Sequence, residues 1–279
     1  TQQDTRNVKA AVLGIDRALA ELGVRVPLMI SGTIEPMGTM LAGQTAEALV
    51  ASLMHVDLLS IGLNCATGPE FMTDSIRSIS ELARTRVSCV PNAGLPDEDG
   101  NYQESPVHMA EVLERFVDHG WLNMVGGCCG TTAEHIRAFA DMVEGKTPRA
   151  PRDHHRALYS GIELIEADDD NRPLLVGERS NVIGSRKFKR LIADEKFEEA
   201  SEIARAQSKA GAHVIDVCLA DPDRDEMSDM TRFLDEVIRK VKLPLMIDST
   251  DPEVIERALT YSQGKAIINS INLEDGEER

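Results

Sequence analysis

Short apolar, β-branched runs recur along the chain, each followed by a polar or glycine-containing loop and then a stretch of helical periodicity. This alternation predicts β/α units. A first set of strands is expected at residues 27–31, 56–61, 86–90 and 122–126, with helices at 44–55 and 106–119 among the intervening segments. A second set is expected at 173–177, 212–217, 243–248 and 265–269, with helices at 196–210, 228–241 and 252–261. Gly211 is placed to stop the first of those helices. Between the sets, proline, charge and loss of periodicity predict an interdomain linker at 146–172, which leaves domains at 1–145 and 173–279.

Each set supplies about four units, whereas a closed (β/α)8 barrel needs eight and about 250 residues. The expected fold class is therefore α/β, with two TIM-type (β/α)8 barrels each represented by about half. The competing arrangement is a pair of small doubly wound sheets. No G-x-G-x-x-G phosphate fingerprint follows any of the strands to support it. The chain does not begin with Met and stops at NLEDGEER, just after a strand-like run, so both ends are expected to fall within folded structure.

Composition narrows the function. The 279 residues are 42% hydrophobic, enough for a sizeable core, and no run of about 18 apolar residues or signal-peptide pattern points to a membrane. A formal charge of −17 argues against nucleic acid as a partner. The one basic cluster, Ser185 to Arg190, reads as a solvated helix face or as a local site for an anionic substrate tail. Five cysteines without a secretion signal suggest a reducing compartment, with cytoplasm the expected location.

Chemistry gathers at the strand ends. Asn64-Cys65 follows the second predicted strand, and Gly126-Gly127-Cys128-Cys129-Gly130-Thr131-Thr132 follows the fourth. In a barrel, both are carboxyl ends of strands, where active-site residues collect. The glycines allow two adjacent thiols to turn toward one point. Three thiolates leave tetrahedral zinc a vacant fourth position, the pattern of a catalytic site, and a metal-bound substrate thiol is deprotonated near neutral pH. Taken by residue type alone, the same cysteines could be small buried side chains. Cys89, inside a strand, reads as core; the seven histidines, including His154 and His155 in the linker, show no ligand spacing.

The motifs GGCCGTT and GLNCA closely resemble the homocysteine S-methyltransferase family, which includes betaine-dependent enzymes and the first module of the methionine synthases. The likeness covers about residues 1–147, and SGTIEPMGTMLAGQTAEA fits the methionine synthase branch. It implies Zn2+ held by Cys65, Cys128 and Cys129, which act catalytically through the metal on homocysteine. Family residues that grip the amino acid end of homocysteine lie partly on earlier strands.

In the second set, Glu178, Arg179, Ser180 and Asn181 follow the first strand, Asp216 ends the second, Asp248 the third and Asn269 the fourth. Carboxylates and amides so placed can bind a flat heterocycle, although an Asp at a strand end can also cap the next helix. The runs GERSNVIGSRKFKRLI, GAHVIDV, MIDSTDPEVIERAL and IINSIN resemble the pterin-binding family, especially the folate module of the methionine synthases and related methyltetrahydrofolate:corrinoid methyltransferases. The resemblance, over about 173–273, implies that Asp248 and Asn269 grip the pterin, with Asn181, Asp216 and Glu178 nearby. Cys218 departs from the pattern, since many relatives carry Asn there; it also reads as a buried thiol. Dihydropteroate synthases share the fold, but Asn181-Val182-Ile183-Gly184 differs from their Asn-x-Thr-Pro-Asp-like loop.

A thiol methyltransferase module followed by a folate module implies methyl transfer from 5-methyltetrahydrofolate through methylcobalamin, bound by a separate cobalamin-binding module of the same parent protein, to homocysteine. The chain alone is expected to be inactive. Its alternatives are a relative with another thiol acceptor, or a noncatalytic metal-binding barrel protein.

Overall fold

The computed structural model describes residues 1–152 and 156–271. His154, His155 and residues 272–279 of the terminal NLEDGEER run lie outside the described residues. The chain divides into two compact units, Thr1–His155 and Arg156–Arg279.

The first unit runs α1 (Thr5–Leu22), β1 (Leu28–Gly32), α2 (Ala46–Leu53), β2 (Leu58–Asn64), α3 (Thr73–Leu82), β3 (Arg86–Val90), α4 (Pro106–Asp118), β4 (Met124–Val125) and α5 (Ala133–Val143). Its sheet is parallel throughout, in the order β1-β2-β3-β4. The second unit opens with the antiparallel hairpin β5 (Leu158–Ser160) and β6 (Leu164–Glu166). It continues with β7 (Val176–Gly177), α6 (Arg186–Ala193), α7 (Phe197–Lys209), β8 (Val214–Val217), α8 (Glu226–Val237), β9 (Leu245–Asp248), α9 (Pro252–Leu259) and β10 (Ile267–Asn269). Strands β7 to β10 again pair in parallel and in chain order.

That order separates the two architectures left open by the sequence. A doubly wound sheet reverses direction at a switch point, whereas in both units each strand pairs with its sequence neighbour, as β/α barrels of the TIM type require. The helices start where the sequence supplies caps. Thr45, Ser105, Asp225 and Asp251 accept from backbone N–H groups of the first turns of α2, α4, α8 and α9. Among the described residues no helix is long and apolar enough to cross a membrane.

Strands β4 and β7, each at a sheet edge, are only two residues long, shorter than the expected 122–126 and 173–177. The expected linker, 146–172, carries more structure than its composition suggests. Arg149 is 4% exposed, and its guanidinium donates to the carbonyls of Ser80, Ala83 and Thr85, satisfying the end of α3. The β5–β6 hairpin is tied into the second unit by Ser160 N–H to the Lys265 carbonyl (3.1 Å) and Ile162 N–H to the Lys242 carbonyl (2.9 Å). A Cβ at Gly161 would lie 2.2 Å from the Lys242 carbonyl oxygen, so the turn depends on glycine. Strands of three residues are too short for a period-2 pattern to register.

The first core buries Leu49, Leu53, Ile61, Leu63, Met72, Ile76, Ile79, Met109 and Phe116. Cys89 belongs to this core, as expected. The second centres on Phe188 and Phe233, whose rings meet edge-on at 5.0 Å. On α6 the basic cluster faces solvent while Phe188, Leu191 and Ile192 face inward, and Lys189 pairs with Asp221 at 2.9 Å.

Candidate functional sites

At the carboxyl ends of β2 and β4 the three cysteines converge. The Cys65 sulfur lies 3.3 Å from that of Cys128 and 3.4 Å from that of Cys129; Cys128 and Cys129 are 3.8 Å apart. They form a three-residue cluster capable of holding a metal ion. Tetrahedral zinc bound to thiolates at about 2.3 Å places the sulfurs roughly 3.8 Å from one another, so the spacing fits zinc with little adjustment. Cys129 is exposed and the other two half-buried, which leaves the cluster open on one side.

Local backbone geometry aims the thiols. Cys65 and Ala66 both adopt left-handed conformations, with φ of 63° and 59°, an arrangement costing about 1–3 kcal/mol per residue when no glycine is present. The turn is held by Thr67 N–H to the Cys65 carbonyl (2.7 Å) and by Cys65 N–H to the Val90 carbonyl (3.2 Å). The loop after β3 holds the vicinal pair: Cys128 N–H donates to the Pro91 carbonyl, Cys129 N–H to Asn92 Oδ1, and Ala93 N–H to the Cys129 carbonyl. Tyr102, from the same loop, lies against Gly130, where a Cβ would come within 2.2 Å of the ring.

The sulfurs differ electrostatically. Burial, reinforced by hydrogen bonds shared with Cys128 and Cys129, pushes the Cys65 thiol up to about 11. Burial opposes ionisation of Cys128 too, yet hydrogen bonds from Cys65 and Asn64 outweigh it and hold this thiol below its ordinary range. Of these two, Cys128 takes negative charge before Cys65. Asn92 and Tyr102 went unremarked in the sequence, and Asn64 was named there only beside Cys65; Asn92 was within reach, because it follows β3 just as Cys65 follows β2.

In the second unit the strand ends bring Asn181, Asp216 and Asp248 together. Asn181 Nδ2 donates to Asp216 Oδ2 (3.0 Å) and to Asp248 Oδ2 (3.2 Å), while its Oδ1 accepts from the N–H groups of Ile183 and Gly184. Asn269 stands opposite Asp248 in the β9–β10 register, and its carbonyl accepts from Ser249 N–H. Glu178 is exposed, yet near enough for its charge to disfavour ionisation of both Asp216 and Asp248. Cys218 is 2% exposed and its thiol hydrogen-bonds Asp248. Glu226 and Ser249, also absent from the sequence-based set, hydrogen-bond each other beside this cluster.

Burial raises Asp216 to about 6, with the charges of Asp248 and Glu178 adding to the effect and the Asn181 hydrogen bond opposing it. A carboxyl raised in the folded state contributes most at low pH, and that contribution is lost as pH climbs through about 6. Asp216→Asn is thus expected to remove a stability loss of up to about 3 kcal/mol between pH 4 and 7. Chemical denaturation of both proteins across this range measures it; parallel pH profiles would refute the assignment.

Residues 1–143 match the family profile described as homocysteine S-methyltransferase, which is 143 of the 279 residues. The chain belongs to the homocysteine S-methyltransferase family. Residues 177–279 match a second profile, pterin binding enzyme. Among solved structures, this homocysteine S-methyltransferase family member resembles the apo homocysteine methyltransferase of Escherichia coli at 20% identity and a TM-score of 0.35, covering 46% of this chain and 43% of that one. It therefore spans under half the length of that relative. Orotidine 5'-monophosphate decarboxylase of Methanocaldococcus jannaschii matches at 12% identity over 88% of both chains (TM-score 0.29). The carboxyl transferase domain of Rhizobium etli pyruvate carboxylase matches at 15% over 87% of this chain and 39% of that one (TM-score 0.28).

Proposed function

We propose that this chain is part of a cobalamin-dependent methionine synthase, which moves a methyl group from 5-methyltetrahydrofolate to homocysteine and yields methionine and tetrahydrofolate. Cobalamin would be held by a further module of the same parent protein. The observation that carries this reading is the convergence of three thiols at strand ends in a chain whose second unit gathers an Asn and two Asp at its own strand ends.

Cys65, Cys128 and Cys129 are the residues that would hold zinc. When bound, the metal supplies the positive charge that keeps a substrate thiol as thiolate near neutral pH. Around it the chain's own groups fix the ligands: Asn92 anchors the backbone of Cys129, and the strained turn at Cys65 and Ala66 aims the third sulfur. In the second unit Asp248 and Asp216 present acceptors to the amino-pyrimidine edge of a pterin, and Asn181 fixes the orientation of both carboxyls. Asn269 adds an amide beside Asp248, and Glu178 stands exposed near the pair.

Titration calorimetry on the zinc-loaded full-length protein, with homocysteine and with its oxygen analogue homoserine, tests the thiol role. Homocysteine is expected to bind and release a proton, and homoserine to give no measurable heat. Equal binding of the two would remove the proposal.

A further inference from the structure

Each of the three sulfurs has a different polar group beside it. The backbone N–H of Ala66 lies beside Cys65, the Asn64 amide lies 3.9 Å from the Cys128 sulfur, and the Tyr102 ring, packed on Gly130, sets its hydroxyl close enough to Cys129 for that thiol to disfavour ionisation of the phenol. Tyr102 is the member of this trio that comes from the loop after β3, outside the two cysteine motifs. Its backbone is set by a small hairpin in which Tyr102 bridges to Pro96. Within the hairpin, Asp97 Oδ1 accepts from the N–H groups of Asp99 and Asn101, and Asp97 Oδ2 from the Gln103 amide. Gly130 provides the flat surface on which the ring rests, since a side chain there would occupy the ring's place. The phenol is consequently held beside the most exposed of the three sulfurs by structure on both sides.

Resting on the zinc reading above, we propose that Tyr102 is a positioning residue for the metal centre, donating a hydrogen bond to the Cys129 thiolate. Three thiolates exceed the charge of a divalent cation by one unit, and a fourth from substrate raises the excess to two. The groups that act on Cys65 and Cys128 are one another, Cys129, the Asn64 amide and backbone N–H groups, so the donors named there are neutral. A hydroxyl on Cys129 draws electron density from its sulfur and fixes its direction, as outer partners of metal ligands do. Tyr102→Phe keeps the ring on Gly130 and deletes only the donor.

The test uses the full-length protein loaded with Co2+ as a spectroscopic substitute for zinc, together with competitive zinc titration. In the Tyr102→Phe variant, metal stoichiometry and thermal stability are expected to stay as in the wild type. The thiolate-to-cobalt charge-transfer band is expected to move to lower energy, and zinc affinity to fall about 10-fold. A variant with the wild-type band position and zinc affinity would overturn the role of Tyr102 while leaving the zinc site standing. Absence of any thiolate band in the wild type would overturn both, and so marks failure of the underlying reading.

Discussion

Cys128→Ala is expected to lose its bound zinc and, with it, homocysteine methylation, while the affinity of the protein for 5-methyltetrahydrofolate stays unchanged. Cys128 is held below the ordinary thiol range while Cys65 is pushed above it, so Cys128 presents a thiolate to a metal more readily than Cys65. Its sulfur lies 3.3 Å from that of Cys65 and 3.8 Å from that of Cys129, and the two sulfurs left behind lie 3.4 Å apart. Thiolate zinc sites have apparent binding free energies of about 10–16 kcal/mol, or roughly 3 kcal/mol per ligand, so one lost ligand corresponds to more than about 100-fold in affinity. Folding is expected to survive, because Cys128 is only half-buried and its backbone bonds to Pro91 and Thr131 do not involve the thiol. Metal analysis after dialysis, paired with folate titration, measures both halves of the prediction. Full zinc retention and full activity in the variant would be incompatible with the site.

The complementary substitution acts on the other unit. Asp248→Ala is expected to weaken 5-methyltetrahydrofolate binding by about 10- to 100-fold, the worth of a hydrogen bond to a charged group, with zinc content unaltered. The carboxyl ends β9, accepts from Asn181 and meets the Cys218 thiol, so its removal also frees the Asn181 amide from one of its two acceptors. The charge of Asp248 raises Asp216, and the substitution therefore lowers the pH at which Asp216 ionises. Fluorescence titration of the folate at pH 7 and pH 5 reads both effects. An affinity within twofold of the wild type would show that the pterin does not reach this strand end.

The barrel rhythm and the meeting of the three cysteines were legible because each rests on a local signal. Alternating apolar runs mark strands wherever they fall, and a vicinal cysteine pair between glycines is conspicuous in one dimension. The parallel register, by which Cys65 after β2 meets a pair placed after β4, follows from strand order and so from the same signal. What could not be read was set by contacts distant in sequence. Arg149 looks like linker until its guanidinium is seen to close the end of α3, and the β5–β6 hairpin exists through bonds to residues 242 and 265. Tyr102 belongs with Cys129 only because a turn built on Asp97 brings it there. In the second unit, Asn181, Asp216 and Asp248 were each marked by position at a strand end, but the single amide joining both carboxyls needed the fold.

X-ray absorption at the zinc edge, with and without homocysteine, counts the sulfur ligands themselves. Three sulfur neighbours at about 2.3 Å are expected in the zinc-loaded protein and four once homocysteine is added. A first shell dominated by nitrogen and oxygen, or a sulfur count that homocysteine leaves at three, would contradict the proposed zinc site.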